Sequence, residues 1–322
     1  MNSLLTESLV IDGTLNFARR VDPNCNRSNC KKEVADFSLI KARSGIDIGF
    51  VGAQSRVENL EKVCDFVQEE PDGILIKTYD DIKKVRQDKK FGVVTYCQMH
   101  YPLDGSIEPV SEWFDKGLRV LQIAYGKTDK ANQSVKNRLG AGSDQKGWLT
   151  GLGRRIVREL NRVGIVVDVS HCNDDTTIQV ADHSEKPILA THTNARRLTC
   201  IDRNKSNAAL QKIAETGGVI GVCPIGWMIA ECGKKKATIE DFIDHIDFIV
   251  QKVGIDHVGL SSDSYIDGWN PSHRHYSDAD LNAEDRWSRV IDKLQERYSQ
   301  RDLRKLLGLN FLRVLREVLP EK

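Results

Sequence analysis

The sequence lacks both a long apolar run and an excess of charge of one sign. Of its 322 residues, 47 are Lys or Arg and 46 are Asp or Glu, which gives a formal net charge of +1. This balance gives no reason to expect a nucleic acid or a membrane as a partner. No apolar stretch approaches the roughly 20 residues that a membrane-spanning helix needs. The opening residues, MNSLLTESLVIDG, contain no basic segment followed by a long apolar one, so no signal peptide is expected.

The cysteines lack the spacing of a metal-binding knuckle. Cys25 and Cys30 are separated by four residues, and no second pair follows them. Three others, Cys97, Cys172 and Cys223, lie in or beside apolar strand-like runs. Buried thiols without a disulfide framework are typical of a reducing compartment, so we expect a cytoplasmic protein.

Eight short apolar runs recur along the chain, separated by segments with helical periodicity. Their near-continuous apolarity is typical of strands that are covered on both faces. The runs occupy residues 9–13, 46–53, 91–98, 118–125, 165–171, 188–192, 218–224 and 257–263. Eight strands that alternate with helices predict an α/β fold, a (β/α)8 barrel of the TIM type, as a single domain over residues 1–322. An open doubly wound sheet is the alternative, and it is disfavoured because no Gly-x-Gly-x-x-Gly motif follows the first run.

Two intervening segments contain helix start and stop signals. Thr150 precedes an apolar stripe that ends at Gly164, so the pair is expected to cap one helix. Thr238 and Asp241 have the spacing of a capping box, and Gly254 follows the end of that stripe.

Polar side chains stand at the carboxyl ends of the predicted strands, where barrel enzymes place their reactive groups. They are Thr14, Asn16, Gln98, Tyr125, His171, His192 and Asp263. His171 and His192 end neighbouring strands, so both imidazoles are expected within reach of one ion. A single strand-end histidine is more often structural. A pair on adjacent strands, with Asp263 on the last strand, favours a metal or proton-transfer site instead.

Residues 150–171 (TGLGRRIVRELNRVGIVVDVSH) and 188–204 (ILATHTNARRLTCIDRN) resemble consecutive segments of the membrane (renal) dipeptidase family of zinc metallopeptidases. Further blocks match in order, namely LVIDG, GLRVLQIAY, DHIDFIVQKVGIDHVGLSSD and NFLRVLREV. The resemblance covers essentially the whole chain. It implies a barrel like those of the amidohydrolases and other metal-dependent hydrolases. It also implies two zinc ions that share a carboxylate and hold a hydroxide, which attacks a dipeptide bond.

The resemblance assigns roles to individual residues. His171 and His192 match the ligands of one metal ion, and Arg203 matches the arginine that holds the substrate's carboxylate. Asp263 matches the acid on the last strand that takes the nucleophile's proton. Tyr125 stands where the family has a histidine that helps to hold the tetrahedral intermediate, which makes it a candidate catalytic and substrate-binding residue.

The chain departs from the family at three metal-ligand positions. The family begins Asp-Gly-His-x-Asp, whereas Thr14 and Asn16 replace that histidine and aspartate here. Gln98 falls on the position of the bridging glutamate, and a neutral amide cannot supply the negative charge that holds two dications together. The resemblance therefore predicts at most one zinc or similar divalent ion, on His171 and His192 with Gln98 as a weak ligand, or no metal.

Other histidines offer alternatives. His273 and His275, in the loop sequence PSHRH, are either replacement ligands or solvent-exposed loop residues, and the second reading is favoured. His100 is a further possible ligand. His183 and His245 are interpreted as structural, with His245 packed under the last strand.

Three functional hypotheses follow. The favoured one is an enzyme that acts on a small carboxylate derived from an amino acid or dipeptide, with the dinuclear zinc site dismantled. The second is a working metallo-dipeptidase with one metal on His171 and His192. The third is a non-catalytic protein that binds a ligand in the same pocket. All three take a small molecule as partner, and a homodimer is compatible with each because barrels of this family often pair.

Overall fold

A parallel sheet of ten strands runs through the part of the chain that the computed structural model describes. The described residues are 2–16, 37–52, 57–98, 106–125, 138–143, 146–230, 237–265 and 286–322. The strands are β1 (Ile11–Asn16), β2 (Ile48–Gly52), β3 (Gly73–Leu75), β4 (Phe91–Cys97), β5 (Val120–Gln122), β6 (Val166–Asp168), β7 (Leu189–Thr193), β8 (Val219–Val222), β9 (Val258–Leu260) and β10 (Ser264–Tyr265).

The strand order is that of a barrel. The path runs β10-β1-β2-β4-β5-β6-β7-β8-β9, and β9 and β10 are parts of one strand interrupted at residues 261–263. Because β9 pairs with β8 and β10 pairs with β1, this split strand closes the ring. The predicted (β/α)8 barrel is confirmed, and each predicted apolar run overlaps one of its eight strands.

The short strand β3 is an addition that the sequence did not predict. It pairs with the first residues of β4, where Gly73 lies opposite Phe91. Its three residues are only partly buried, so it carries no continuous apolar run. The predicted strand at 118–125 is also shorter than expected, since only Val120–Gln122 pair with their neighbours.

Helices cover the outside of the sheet. They are α1 (Ser3–Glu7), α2 (Phe37–Ser44), α3 (Val57–Glu69), α4 (Tyr79–Gln87), α5 (Pro109–Asp115), α6 (Gly151–Val163), α7 (Asp174–His183), α8 (Asn207–Glu215), α9 (Gly226–Ile229), α10 (Ile239–Val253), α11 (Arg286–Leu294), α12 (Gln300–Arg304) and α13 (Asn310–Val318). A 3₁₀ turn covers Ile255–His257, and a π-type turn, Lys305–Leu309, joins α12 to α13. No helix among the described residues combines the length and the apolar character needed to cross a bilayer.

The predicted helix caps are present. The Thr150 side chain accepts a hydrogen bond from the amide of Gly153, and Gly164 ends α6 in the left-handed region, with φ of 94°. Thr238 and Asp241 form the reciprocal capping box at the start of α10. Local sequence therefore fixes both ends of the helix that leads into β6, the strand that precedes His171.

The aromatic ring of Phe311 lies at the floor of the barrel, against the ring of Phe50. Phe311, in α13, is fully buried among the first residues of the strands. A Cβ atom added at Gly13 would lie 2.8 Å from its ring, and one added at Gly259 would lie even closer. These glycines therefore make room for Phe311, which seals the amino-terminal end and leaves the carboxyl end for the polar side chains.

Candidate active site

Two histidines meet at the carboxyl ends of β6 and β7. His171 follows β6, His192 lies within β7, and their Nε2 atoms are 3.0 Å apart. Burial, followed by the positive charge of Arg203, lowers the pKa of both imidazoles well below the usual value. Both rings are therefore neutral at neutral pH, and each has one ring nitrogen with a free lone pair.

A buried polar network lies beneath His192. Thr191 Oγ1 is 2.8 Å from His192 Nδ1 and 2.9 Å from Asp168 Oδ2. The Asp168 carboxyl group also accepts from the hydroxyls of Tyr96, at 2.5 Å, and Ser170, at 2.6 Å. The amides of Ser170 and Thr191 complete its set of five donors. This network lies inside the barrel, and no motif in the sequence predicts it.

Thr14 contacts the side of His192 that faces away from His171. Its hydroxyl donates to the carbonyl of Gly13 at 2.6 Å and lies 3.2 Å from His192 Nδ1. The hydroxyl therefore approaches the ring from the Nδ1 edge and not from the Nε2 edge. Asn16 ends β1, and its side chain lies outside the described residues.

Two cationic side chains hold the turn that carries His171. Arg203 donates to the carbonyl of Ser170 at 2.6 Å and to that of His192 at 2.8 Å. Lys205 donates to the carbonyls of Val169 and Cys172. Both side chains are almost fully buried, and burial lowers the pKa of Lys205 to about 8. Lys205 was missed in the sequence analysis because its spacing from the histidines gives no motif.

Tyr125 covers His171. It follows β5, is partly exposed, and its ring stacks on the imidazole with centroids 4.3 Å apart and planes inclined by 23°. The tyrosine thus shares the face of the pocket with the histidine pair.

Asp263 occupies the break between β9 and β10. It has a left-handed backbone, with φ of 47°. Burial raises the pKa of its carboxyl group to about 7, opposed by Arg203 and reinforced by Asp12. Burial also raises the pKa of Asp12 to about 6, and its Oδ2 atom has no hydrogen-bond partner among the described residues. Two carboxyl groups that titrate near neutral pH therefore belong to this end of the barrel.

The described residues do not contain a complete metal-ligand set. Among them, no group of three or more His, Cys, Asp or Glu side chains is arranged to hold an ion. Gln98 follows β4, and its buried amide nitrogen has no hydrogen-bond partner within the described part of the chain. His100, His273, His275, Cys25 and Cys30, named in the sequence analysis, lie outside the described residues.

His183 and His245 lie in hydrogen-bonded helical settings. His183 Nδ1 is 2.8 Å from the carbonyl of Gln179, in its own helix. His245 Nδ1 accepts from the amide of Ala195 at 3.1 Å, and its Nε2 lies 3.3 Å from the carbonyl of Ile229. The hydrogen bonds of His245 thus join the loop after β7 to the end of α9, and none of them reaches the last strand.

Comparison with known proteins gives a consistent assignment. The family model described as membrane dipeptidase (Peptidase family M19) matches residues 1–321. Dipeptidase tcpJ of Claviceps purpurea is 29% identical over 240 residues, which are 74% of this chain and 54% of that protein. This chain thus spans about half the length of that relative.

Two solved structures share the fold. An amidohydrolase from Pseudomonas aeruginosa has a TM-score of 0.81 at 24% identity, over 98% of both chains. A metallopeptidase from Rhodobacter sphaeroides, bound to a phosphinate mimic of the dipeptide L-Ala-D-Ala, has a TM-score of 0.72 at 20% identity, over 97% of this chain and 99% of that one.

Proposed function

The chain belongs to the membrane dipeptidase family, Peptidase family M19, and from this premise we propose that it is an enzyme for a small carboxylate substrate derived from an amino acid or a dipeptide. In this proposal the dinuclear zinc centre typical of the family is dismantled. The observation that carries it is the contrast between a closely spaced pair of neutral histidines and the neutral residues Thr14 and Gln98 at family ligand positions.

The histidine pair fits one metal ion and not two. Nitrogens 3.0 Å apart can both lie about 2.0–2.1 Å from a shared zinc. A second ion would need a bridging carboxylate, and Gln98 offers only an amide. A single bound ion would polarise a carbonyl oxygen or lower the pKa of a water molecule. Two protein ligands are one fewer than catalytic zinc usually has, so partial occupancy is expected.

The remaining groups are assigned to substrate binding and proton transfer. Arg203 has five N–H donors, and three of them bond to Ser170, Thr193 and His192. The other two have no hydrogen-bond partner among the described residues, and we propose that they hold a substrate carboxylate. Asp263, with a pKa of about 7, can hold a proton at neutral pH and pass it to a reacting atom. Tyr125, whose ring stacks on His171, is proposed to contact the substrate as well.

The experiment that tests this proposal measures bound metal and turnover on the same preparation. After incubation with excess zinc and dialysis, we expect at most one equivalent per chain. A panel of dipeptides and N-acylated amino acids should contain at least one substrate that is turned over. His171→Gln with His192→Gln should remove any bound zinc, whereas His257→Gln, at a partly exposed histidine that is bonded to the carbonyl of Gly218, should retain it.

Two results would overturn the proposal. Two tightly held equivalents of zinc together with efficient dipeptide hydrolysis would show that a complete dinuclear centre forms. Binding of amino-acid carboxylates without turnover of any member of the panel would favour a non-catalytic binding protein.

A further inference from the structure

Asp168, Thr191 and His192 form a continuous hydrogen-bonded chain beneath the pocket. We infer that Asp168 and Thr191 are positioning residues, which fix the proton of His192 on Nδ1 and leave the Nε2 lone pair directed at the pocket. The use made of that lone pair rests on the proposed function, but the position of the proton does not.

The Thr191 hydroxyl has one hydrogen and several possible acceptors. It lies 2.9 Å from Asp168 Oδ2 and 2.8 Å from His192 Nδ1, and the neutral hydroxyls of Ser170 and Tyr96 are 2.9 and 3.2 Å away. An ionised carboxylate can only accept, and hydrogen bonds to a charged acceptor are the stronger ones. The hydrogen therefore points to Asp168, and the Thr191 oxygen presents a lone pair to Nδ1.

Thr14 provides the other hydroxyl near this ring nitrogen. Its hydrogen is directed to the carbonyl of Gly13 at 2.6 Å, a shorter contact than the 3.2 Å to Nδ1. The Nδ1 atom thus faces two hydroxyl oxygens whose hydrogens are donated to other acceptors, namely Asp168 and the carbonyl of Gly13. A proton on Nδ1 satisfies both oxygens, whereas an unprotonated Nδ1 would meet only lone pairs.

Several further donors keep Asp168 in its acceptor role. The hydroxyls of Tyr96 and Ser170 and the amides of Ser170 and Thr191 also donate to this carboxyl group. Ser170 in turn accepts from the amide of His192 at 3.0 Å. The same groups therefore fix both the backbone and the ring of His192. With its proton on Nδ1, His192 accepts at Nε2 from His171, or donates that lone pair to an ion.

The test is the tautomer of His192, read from the ¹⁵N resonances of its two ring nitrogens and assigned by loss in His192→Gln. The metal-free wild-type chain should show a protonated Nδ1 and an unprotonated Nε2. Asp168→Asn should reverse this pattern, because an amide donates to Thr191 and turns the hydroxyl hydrogen toward Nδ1. Thr191→Val should show both forms, and Thr191→Ser should restore the single wild-type form.

A matched control lies on the same strand. Thr193 is also a buried threonine of β7, and its hydroxyl bonds to the carbonyl of Arg203 and not to the ring. Thr193→Val should leave the tautomer unchanged. If Asp168→Asn does not fold, Thr191→Val and Thr191→Ser still decide the question. An Nε2-protonated His192 in the wild-type chain, or a tautomer that Thr191→Val leaves unaltered, would overturn the inference.

A zinc competition assay separates this inference from the proposed function. Loss of an outer hydrogen-bond partner of a metal-binding histidine typically weakens binding by about 10–100-fold. Thr191→Val should therefore weaken zinc binding about tenfold, with Thr193→Val unchanged. If the wild-type chain binds no zinc but the tautomers behave as described, the metal assignment fails and the positioning role stands. If Thr191→Val changes the tautomer of His192 but not the affinity for zinc, Thr191 fixes the proton as inferred. The position of that proton then does not control metal binding, and the inferred link to the pocket is overturned.

Discussion

The two sides of the barrel mouth differ in chemistry and in how firmly their side chains are held. On the side of β1 and β4, Thr14 and Gln98 are uncharged, and the Gln98 amide nitrogen has no hydrogen-bond partner among the described residues. On the side of β6 and β7, His192 is held by Thr191 and Ser170 through its ring and its amide.

This difference separates two properties that a metal centre normally combines. The β6–β7 side has the preorganisation of a metal site, because each group is oriented by a neighbour. At the three family ligand positions on the β1–β4 side, the chain has the neutral residues Thr14, Asn16 and Gln98. Under the proposed function, the neutral residues on one side limit the number of ions, and hydrogen bonds on the other side orient His192.

The largest expected effect comes from placing metal-binding side chains on the β1–β4 side as well. The triple variant Thr14→His, Asn16→Asp and Gln98→Glu restores the three family ligand types. We expect binding of a second zinc ion to tighten by about three orders of magnitude, roughly 4 kcal/mol. Isothermal titration with zinc measures this gain. If the affinity stays flat, the correspondence of these positions to the family's ligands is incorrect.

A smaller effect should come from removing hydrogen bonds on the β6–β7 side. The Asn194 side chain, after β7, donates to the carbonyl of Cys223 at 2.9 Å and accepts from its amide at 3.3 Å. Asn194→Ala leaves both buried backbone groups unsatisfied, which should lower the free energy of unfolding by about 2–3 kcal/mol in urea. Gln98→Ala, on the other side, should lower it by less than about 1 kcal/mol. Equal losses of unfolding free energy in the two variants would show that the side chains of both sides are held equally firmly.

The smallest effect is a dependence of stability on pH, which comes from Asp263 in the break between β9 and β10. Because burial raises the pKa of Asp263 from 3.8 to about 7, the folded chain retains a proton that the unfolded chain loses within that window. Stability contributed by this group therefore falls as the pH rises from about 4 to 7, and is constant above 7. Asparagine tolerates the same left-handed backbone, so Asp263→Asn should remove this slope. A shift of this size would amount to roughly 4 kcal/mol for a fully buried group. Because the Asp263 side chain is partly exposed and solvent screens its charge, the free energy of unfolding at pH 8 should rise by about 1–2 kcal/mol.

Asp256 provides the control with the opposite sign. A hydrogen bond from Lys305 lowers the pKa of this exposed carboxyl group. Asp256→Asn should therefore lower the stability at pH 8 slightly and not raise it. If Asp263→Asn leaves the dependence on pH unchanged between pH 4 and 7, the carboxyl group does not carry the elevated pKa.

The parts of the fold that the sequence predicted are those that depend on local signals. The apolar runs located all eight barrel strands, and Thr150, Gly164 and Thr238 were identified as helix caps from their neighbours alone. β3 was missed because three partly buried residues carry no periodicity. The split between β9 and β10 was missed because it depends on pairing with β1, at the far end of the chain.

The candidate site shows the same division. The sequence placed His171 and His192 on neighbouring strands, and the structure has their Nε2 atoms 3.0 Å apart. The contacts of Asp168 with Tyr96 and Thr191 could not be predicted, because they join three strands through the register of the barrel interior. The bonds from Arg203 and Lys205 to backbone carbonyls were equally hidden, since they depend on the path of a loop. The metal roles, the acid–base role of Asp263 and the substrate contacts remain predictions.

The placement of Phe311 has a consequence for biosynthesis. The floor of the barrel is sealed by a residue of α13, a helix that follows the last strand in the sequence, and the last strand must reach the first to close the ring. While these segments are still inside the ribosomal exit tunnel, the strands that have already emerged have an unfilled interior and two unpaired edges. Closure of the barrel should therefore wait until α13 has left the tunnel, and premature termination before α13 should yield an aggregation-prone product.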